Sequence, residues 1–177
     1  MDDADICIID VLIKNGARVN SRDQNGNTPL FYAITRDNFN IVELLVKNGS
    51  NVDTKNKADN TPLFYAITIK NPDIIEFLVQ KGANINAQDK QGKTYLHKTS
   101  DWQLAELLKS LGARSDIKDQ NGKTACDYAA ENGNYKLLDV LSPEQPLLHS
   151  EQADQAESDL LGVDEMFEKF GEPAGDF

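Results

Sequence analysis

Apolar residues along this chain gather in short clusters, separated by polar stretches rich in Asn, Asp and Gly. One set of clusters reads Ile41-Val42-Glu43-Leu44-Leu45-Val46, Ile74-Ile75-Glu76-Phe77-Leu78-Val79, Leu104-Ala105-Glu106-Leu107-Leu108 and Tyr135-Lys136-Leu137-Leu138-Asp139-Val140. Apolar positions at helical spacing, interrupted by charge, predict helices with one buried face. Glycine follows each of the first three, where tolerance of the left-handed conformation ends a helix. The last runs instead into Ser142-Pro143. A shorter apolar cluster precedes each, opened by Thr and twice by Thr-Pro; Thr can cap a helix and Pro suits its first turn. Stretches such as Asn84-Ile85-Asn86-Ala87-Gln88-Asp89-Lys90-Gln91-Gly92 predict a turn or hairpin loop.

The pattern is periodic. Thr-Pro-Leu-Phe-Tyr-Ala-Ile-Thr occurs at 28–35 and unchanged at 61–68, an offset of 33. The same slot recurs at Thr94 and Thr124, offsets of 33 and 30. Gly16, Gly49, Gly82 and Gly112 follow the same spacings of 33, 33 and 30. Two markers sharing one deletion place a three-residue loss in the third unit, between Lys98 and Trp102.

The period, the Thr-Pro-Leu-x-x-Ala motif, Leu-Leu-Val-Lys-Asn-Gly and Asp-x-x-Gly-x-Thr together resemble the ankyrin-repeat family over about residues 5–141. The resemblance implies an all-α fold, a solenoid of stacked antiparallel helix pairs with projecting hairpin loops. The expected division is an ankyrin-repeat domain over 1–141, a flexible linker over 142–158 and an acidic tail with a short amphipathic helix over 159–177. Within the domain it is a partial repeat at 1–22, full repeats at about 23–55, 56–88 and 89–118, and a terminal repeat at 119–141. Stacking would align Leu12, Leu45, Leu78, Leu108 and Leu138 in one buried line, and Val11, Leu44, Phe77, Leu107 and Leu137 in another. Such units bury their apolar faces only against neighbours.

Departures from the family pattern stand out. Phe31 and Phe64 hold the place usually taken by His, which only His97 keeps. Asp59 replaces the loop glycine found at Gly26, Gly92 and Gly122, and must enter the left-handed region. Residues 5–16 supply a second helix without a Thr-Pro helix before it, leaving one flank of the stack uncovered. Either Met1 is an internal start or the half unit is an N-terminal cap, with Asp2, Asp3 and Asp5 suited to the helix dipole.

Charge changes the picture at the C-terminus. The chain of 177 residues carries a net −11, and residues 142–177 hold ten acids against Lys169 alone, hence −9. The body is nearly neutral, and the net negative charge argues against a general nucleic-acid binder, since phosphate binding needs a basic face. No apolar run reaches membrane-spanning length and the acidic start lacks the basic region of a signal peptide. A cytoplasmic monomer is expected, though the N-terminal half unit could pair with another chain. The 16 asparagines and 14 lysines hint at an AT-rich genome, and so at an effector delivered into a host cell.

No catalytic constellation occurs. Gly92-Lys93-Thr94 and Gly122-Lys123-Thr124 lack the upstream glycine of a phosphate-binding loop. Cys7 and Cys126 read as small core residues, and no set of His, Cys and carboxylates has metal-ligand spacing. His97 reads as a framework hydrogen-bonding residue. No enzyme, metal or cofactor is expected.

The resemblance therefore points to a protein partner, bound on the concave face and loop tips. The residue four after the motif Thr is Tyr32, Tyr65, Lys98 or Tyr128, and Tyr32 with Tyr65 would form an exposed aromatic step. Arg36 and an exposed Ile69 would end the same helices. Arg22, Lys57 and Lys90 sit at the loop tips, where a mild basic rim would attract an acidic surface. In the tail, Leu160, Val163, Phe167 and Phe170 fall on one helical face opposite acids, a segment able to fold into a partner's groove or to cap the last repeat. A regulatory inhibitor, an effector acting through that tail, and an adaptor subunit of an enzyme complex are the competing readings.

Overall fold

A computed structural model describes residues 3–142; the tail residues Leu160, Val163, Phe167 and Phe170 lie outside the described residues. Among the described residues the secondary structure is helical throughout. A lone helix, α1 (Asp3–Lys14), precedes four pairs. These are α2 (Pro29–Thr35) with α3 (Phe39–Lys47), α4 (Pro62–Ile69) with α5 (Pro72–Gln80), α6 (Tyr95–Lys98) with α7 (Trp102–Ser110), and α8 (Ala125–Glu131) with α9 (Tyr135–Leu141). The helix-helix-loop cycle is the one the period implies. The three-residue deletion appears as an α6 of one turn.

Local chemistry sets each boundary. Pro29 and Pro62 occupy the first helical turn, where a missing N–H is harmless. The second helices start at Asn38, Asn71, Asp101 and Asn134, whose side chains accept N–H groups of the first turn. They end at Gly49, Gly82 and Gly112, all at positive φ. Asp59 does take the left-handed conformation, with φ 66°. Thr61 caps α4 through Phe64 N–H, but Thr28 makes no such bond to α2.

The core is one continuous column. Leu30, Ile34, Leu63, Ile74, Ile75, Leu78, Leu96 and Leu108 are essentially sealed, each burial stabilising by about 1.5–3 kcal/mol relative to exposure. The N-cap residues correct the register expected for the last repeat. Spacing returns to 33 between Asp101 and Asn134, so the line Leu45, Leu78, Leu108 continues to buried Leu141, and half-buried Leu138 falls off it. The second line ends at Val140, and Leu137 belongs with Leu104. At the other end Val11 and Leu12 are exposed and fill neither line. Cys7 is exposed too, since it shares its register with the solvent-facing Asn40 and Asp73, whereas Cys126 packs against the core.

Polar ladders tie repeat to repeat. Asn20, Asp53 and Asn86 each accept the N–H of a residue in the next repeat, respectively Asn51, Asn84 and Arg114, at 2.8–2.9 Å. Asn20 and Asn86 also donate to the carbonyls of Gly49 and Gly112. The Asp53 side chain has no N–H and omits the second bond, so the ladder is doubled only where Asn stands.

Candidate functional site

Each loop is organised by one acceptor. Asp23, Asn56, Asp89 and Asp119 accept the N–H groups two and four residues on, at 2.7–3.1 Å. The same side chain then holds the residue nine positions on, which belongs to the following first helix. Tyr32 donates to Asp23 at 2.6 Å, and Tyr128 to Asp119 at 2.8 Å. The Asn56 amide donates to the Tyr65 hydroxyl at 3.2 Å, and Lys98 forms an ion pair with Asp89 at 2.7 Å. Loop and first helix are thereby braced against one another in four successive repeats.

The braces leave an electrostatic mark. At Asp119 burial opposes ionisation, but the Tyr128 hydroxyl and the N–H groups of Lys123 and Asn121 outweigh it and hold the pKa at about 2. Burial likewise opposes ionisation at Asp89, and the Lys98 ammonium with two N–H groups pulls its pKa below the usual range. The Tyr32 hydroxyl does the same for Asp23, and is itself made harder to ionise.

This geometry corrects the expected aromatic step. Tyr32 is exposed, at 45%, but Tyr65 and Tyr128 are half-buried. Tyr65 packs edge-on against Phe31 and Phe64, and the Tyr128 ring lies under the ammonium groups of Lys93 and Lys123. Ile69 is half-buried against the core rather than exposed. Lys98 lies over the Phe64 ring besides its ion pair, so it is held on two sides. Arg36, Arg22, Lys57 and Lys90 are exposed.

The first loop joins the second, and the third the fourth, main chain to main chain. Lys57 N–H donates to the Asn25 carbonyl at 2.9 Å, and Gln120 N–H to the Gln91 carbonyl at 3.0 Å. Gly26 and Gly92 permit this approach, since a Cβ there would meet the next loop's backbone at 3.1 and 3.0 Å. His97 is consumed by the framework. Its Nδ1 accepts from Thr94 N–H and Oγ1, and Nε2 meets the Lys123 carbonyl at 3.1 Å. Among the described residues no group of His, Cys, Asp and Glu is arranged to hold a metal, and no helix is long and apolar enough to cross a membrane.

A match to one known family agrees with the period. The family model for ankyrin repeats in three copies matches residues 2–89 and 70–150. The chain belongs to the ankyrin-repeat family. Ankyrin repeats are generally protein–protein interaction modules and typically non-catalytic. A search of curated proteins finds no match to this chain.

Sequence reasoning missed two exposed aromatics of this ankyrin stack, Trp102 and Tyr135. Both follow directly on an N-cap, in register with Phe39 and Pro72, so the caps were the available signal. An open apolar groove bounded by α1 and α2 lies at the flank that the half unit was expected to leave uncovered.

Proposed function

We propose that the chain is a non-catalytic interaction module that binds a protein partner through its concave face and loop edge. Tyr32, Arg36, Tyr65, Ile69, Lys98 and Tyr128 contribute to the concave side, the half-buried members as support for the exposed ones. Arg22, Lys57 and Lys90 carry the loop edge. The observation that carries this reading is the joining of the first loop to the second, and of the third to the fourth, by main-chain hydrogen bonds beneath exposed cations. A surface fixed before binding loses little entropy on association, and a fixed row of cations selects an acidic partner face. The test is the double variant Lys57→Glu, Lys90→Glu, compared with the unaltered chain in affinity capture followed by cross-linking. A partner whose capture falls about tenfold, with the melting temperature unchanged, supports the loop edge. Undiminished capture would rule out that edge as the binding face.

A further inference from the structure

The first end of the stack carries a groove whose chemistry is not that of the loop edge. In later repeats a second helix packs against a first helix, as α3 does on α2 and α5 on α4. Among the described residues α1 has no such neighbour on its own side. Leu12 holds the position of Leu45 and Leu78, which are 3% and 0% exposed, yet Leu12 is 54% exposed. The opposite wall is bared in the same way: Pro29 and Tyr32 are more exposed than their counterparts Pro62 and Tyr65. The space between is an open groove of about 610 Å³, its floor formed by Ile9, Leu12, Ile13, Ala33 and Ile41. It corresponds to the place where α2 lies against α3 and α4, so its walls are set to receive a short helix.

The rim is basic. Arg18, Arg22 and Arg36 line it, three of the four arginines in the chain. None of the three has a carboxylate partner among the described residues, whereas the fourth, Arg114, grips Asp116 with two bonds of 3.0 and 2.6 Å. The one acid on the rim, Asp23, is taken by Tyr32, Asn25 and Asn27. Arg36 stands where the covered repeat has Ile69, so charge replaces an apolar contact just where the face is open. Unpaired guanidinium groups over an apolar floor fit carboxylates flanking an apolar helix face.

We infer that this groove docks a short acidic amphipathic helix of a partner protein. Apolar side chains at i, i+3 and i+4 seat against Leu12 and Ala33, and flanking Asp or Glu pair with Arg18, Arg22 and Arg36. The inference rests on the interaction-module reading and shares Arg22, Tyr32 and Arg36 with it, while the apolar floor of Ile9, Leu12 and Ile13 belongs to the groove alone. Its failure is therefore separable from failure of the loop edge, because Lys57 and Lys90 do not line the groove.

The test is a fluorescence-polarisation titration of the full chain with a labelled twelve-residue helical peptide. The peptide carries Leu, Ala and Ile spaced as in Leu63, Ala66 and Ile67, with glutamates on its other positions. Saturable binding is expected, weakened about tenfold by Arg36→Glu and by Leu12→Asp, and unchanged by Lys57→Glu. A peptide with Gln in place of Glu should bind about tenfold more weakly. Absence of saturable binding, equal affinity for the Gln peptide, or indifference to both groove variants would overturn the proposal. So would concentration-dependent dimerisation of the chain abolished by Leu12→Asp, which would make a second copy the occupant.

Discussion

The octapeptide Thr-Pro-Leu-Phe-Tyr-Ala-Ile-Thr is written twice in this chain, and its two copies live in different surroundings. In the second copy Pro62 is buried and Tyr65 is wedged against Phe31; in the first, Pro29 and Tyr32 face an open groove. The threonines diverge too. Thr61 Oγ1 shares a 2.6 Å hydrogen bond with the Tyr95 hydroxyl, while the buried Thr28 Oγ1 has no partner. The reason lies one repeat away, because the position of Tyr95 is held by Pro62 in the preceding unit, and proline has nothing to offer. In a stacked array, a residue's burial and bonding are written in the neighbouring repeat.

The comparison can be broken by paired substitutions, measured as urea unfolding free energies. The largest difference belongs to the leucine line. Leu78→Ala should cost about 2–5 kcal/mol and Leu12→Ala less than about 1 kcal/mol, since only the first removes sealed packing. Equal losses would mean that the groove is already covered in solution. Next come the tyrosines: Tyr65→Ala should cost about 2 kcal/mol and Tyr32→Ala under about 1 kcal/mol. The threonines should then differ in sign. Thr61→Val loses a bond and strands the Tyr95 hydroxyl, costing about 1–2 kcal/mol, whereas Thr28→Val should be neutral or stabilising.

The smallest effect is pH dependence. The two copies are braced by different loop residues, the ionisable Asp23 and the neutral Asn56. The Asp23 pKa is depressed in the fold by the Tyr32 hydroxyl. Its contribution is therefore complete above the unfolded value of about 3.9 and is lost as pH falls through the lower folded value. Asp23→Asn should shrink the fall in melting temperature between about pH 5 and pH 3, and Asn56→Asp should enlarge it. No change in the thermal melts of either variant would show that these braces do not hold the loops.

The helices, their order and the place of the deletion were legible, because a 33-residue period with one deletion leaves few ways to place caps and glycines; that the deletion shortens α6 to one turn is seen only in the fold. The register of the last repeat was misread where Leu137-Leu138 imitates Leu44-Leu45; the N-cap Asn134 would have corrected it. Cys7 was misassigned for the same reason, its apolar neighbours masking a register shared with Asn40 and Asp73. The tyrosine row was located, but not its state. The nine-residue spacing of Asp23 with Tyr32, Asn56 with Tyr65 and Asp119 with Tyr128 was present in the chain. Only the folded loop shows that it closes a bond. The uncovered flank was legible in the missing Thr-Pro helix before residues 5–16, but not the arginine rim that the fold assembles around it from Arg18, Arg22 and Arg36.

The one-turn α6 has a mechanical consequence. Beside it lies a cleft of about 150 Å³ lined by Thr99, Ser100, Ala129 and Leu137, where the longer first helices of earlier repeats would have put another turn. The repeats of a column are held side by side only by contacts between adjacent units. Here α4 on one side and α8 on the other lean on a single turn. Under a stretching force the stack should yield at α6 first, parting into an N-terminal and a C-terminal segment before either unravels.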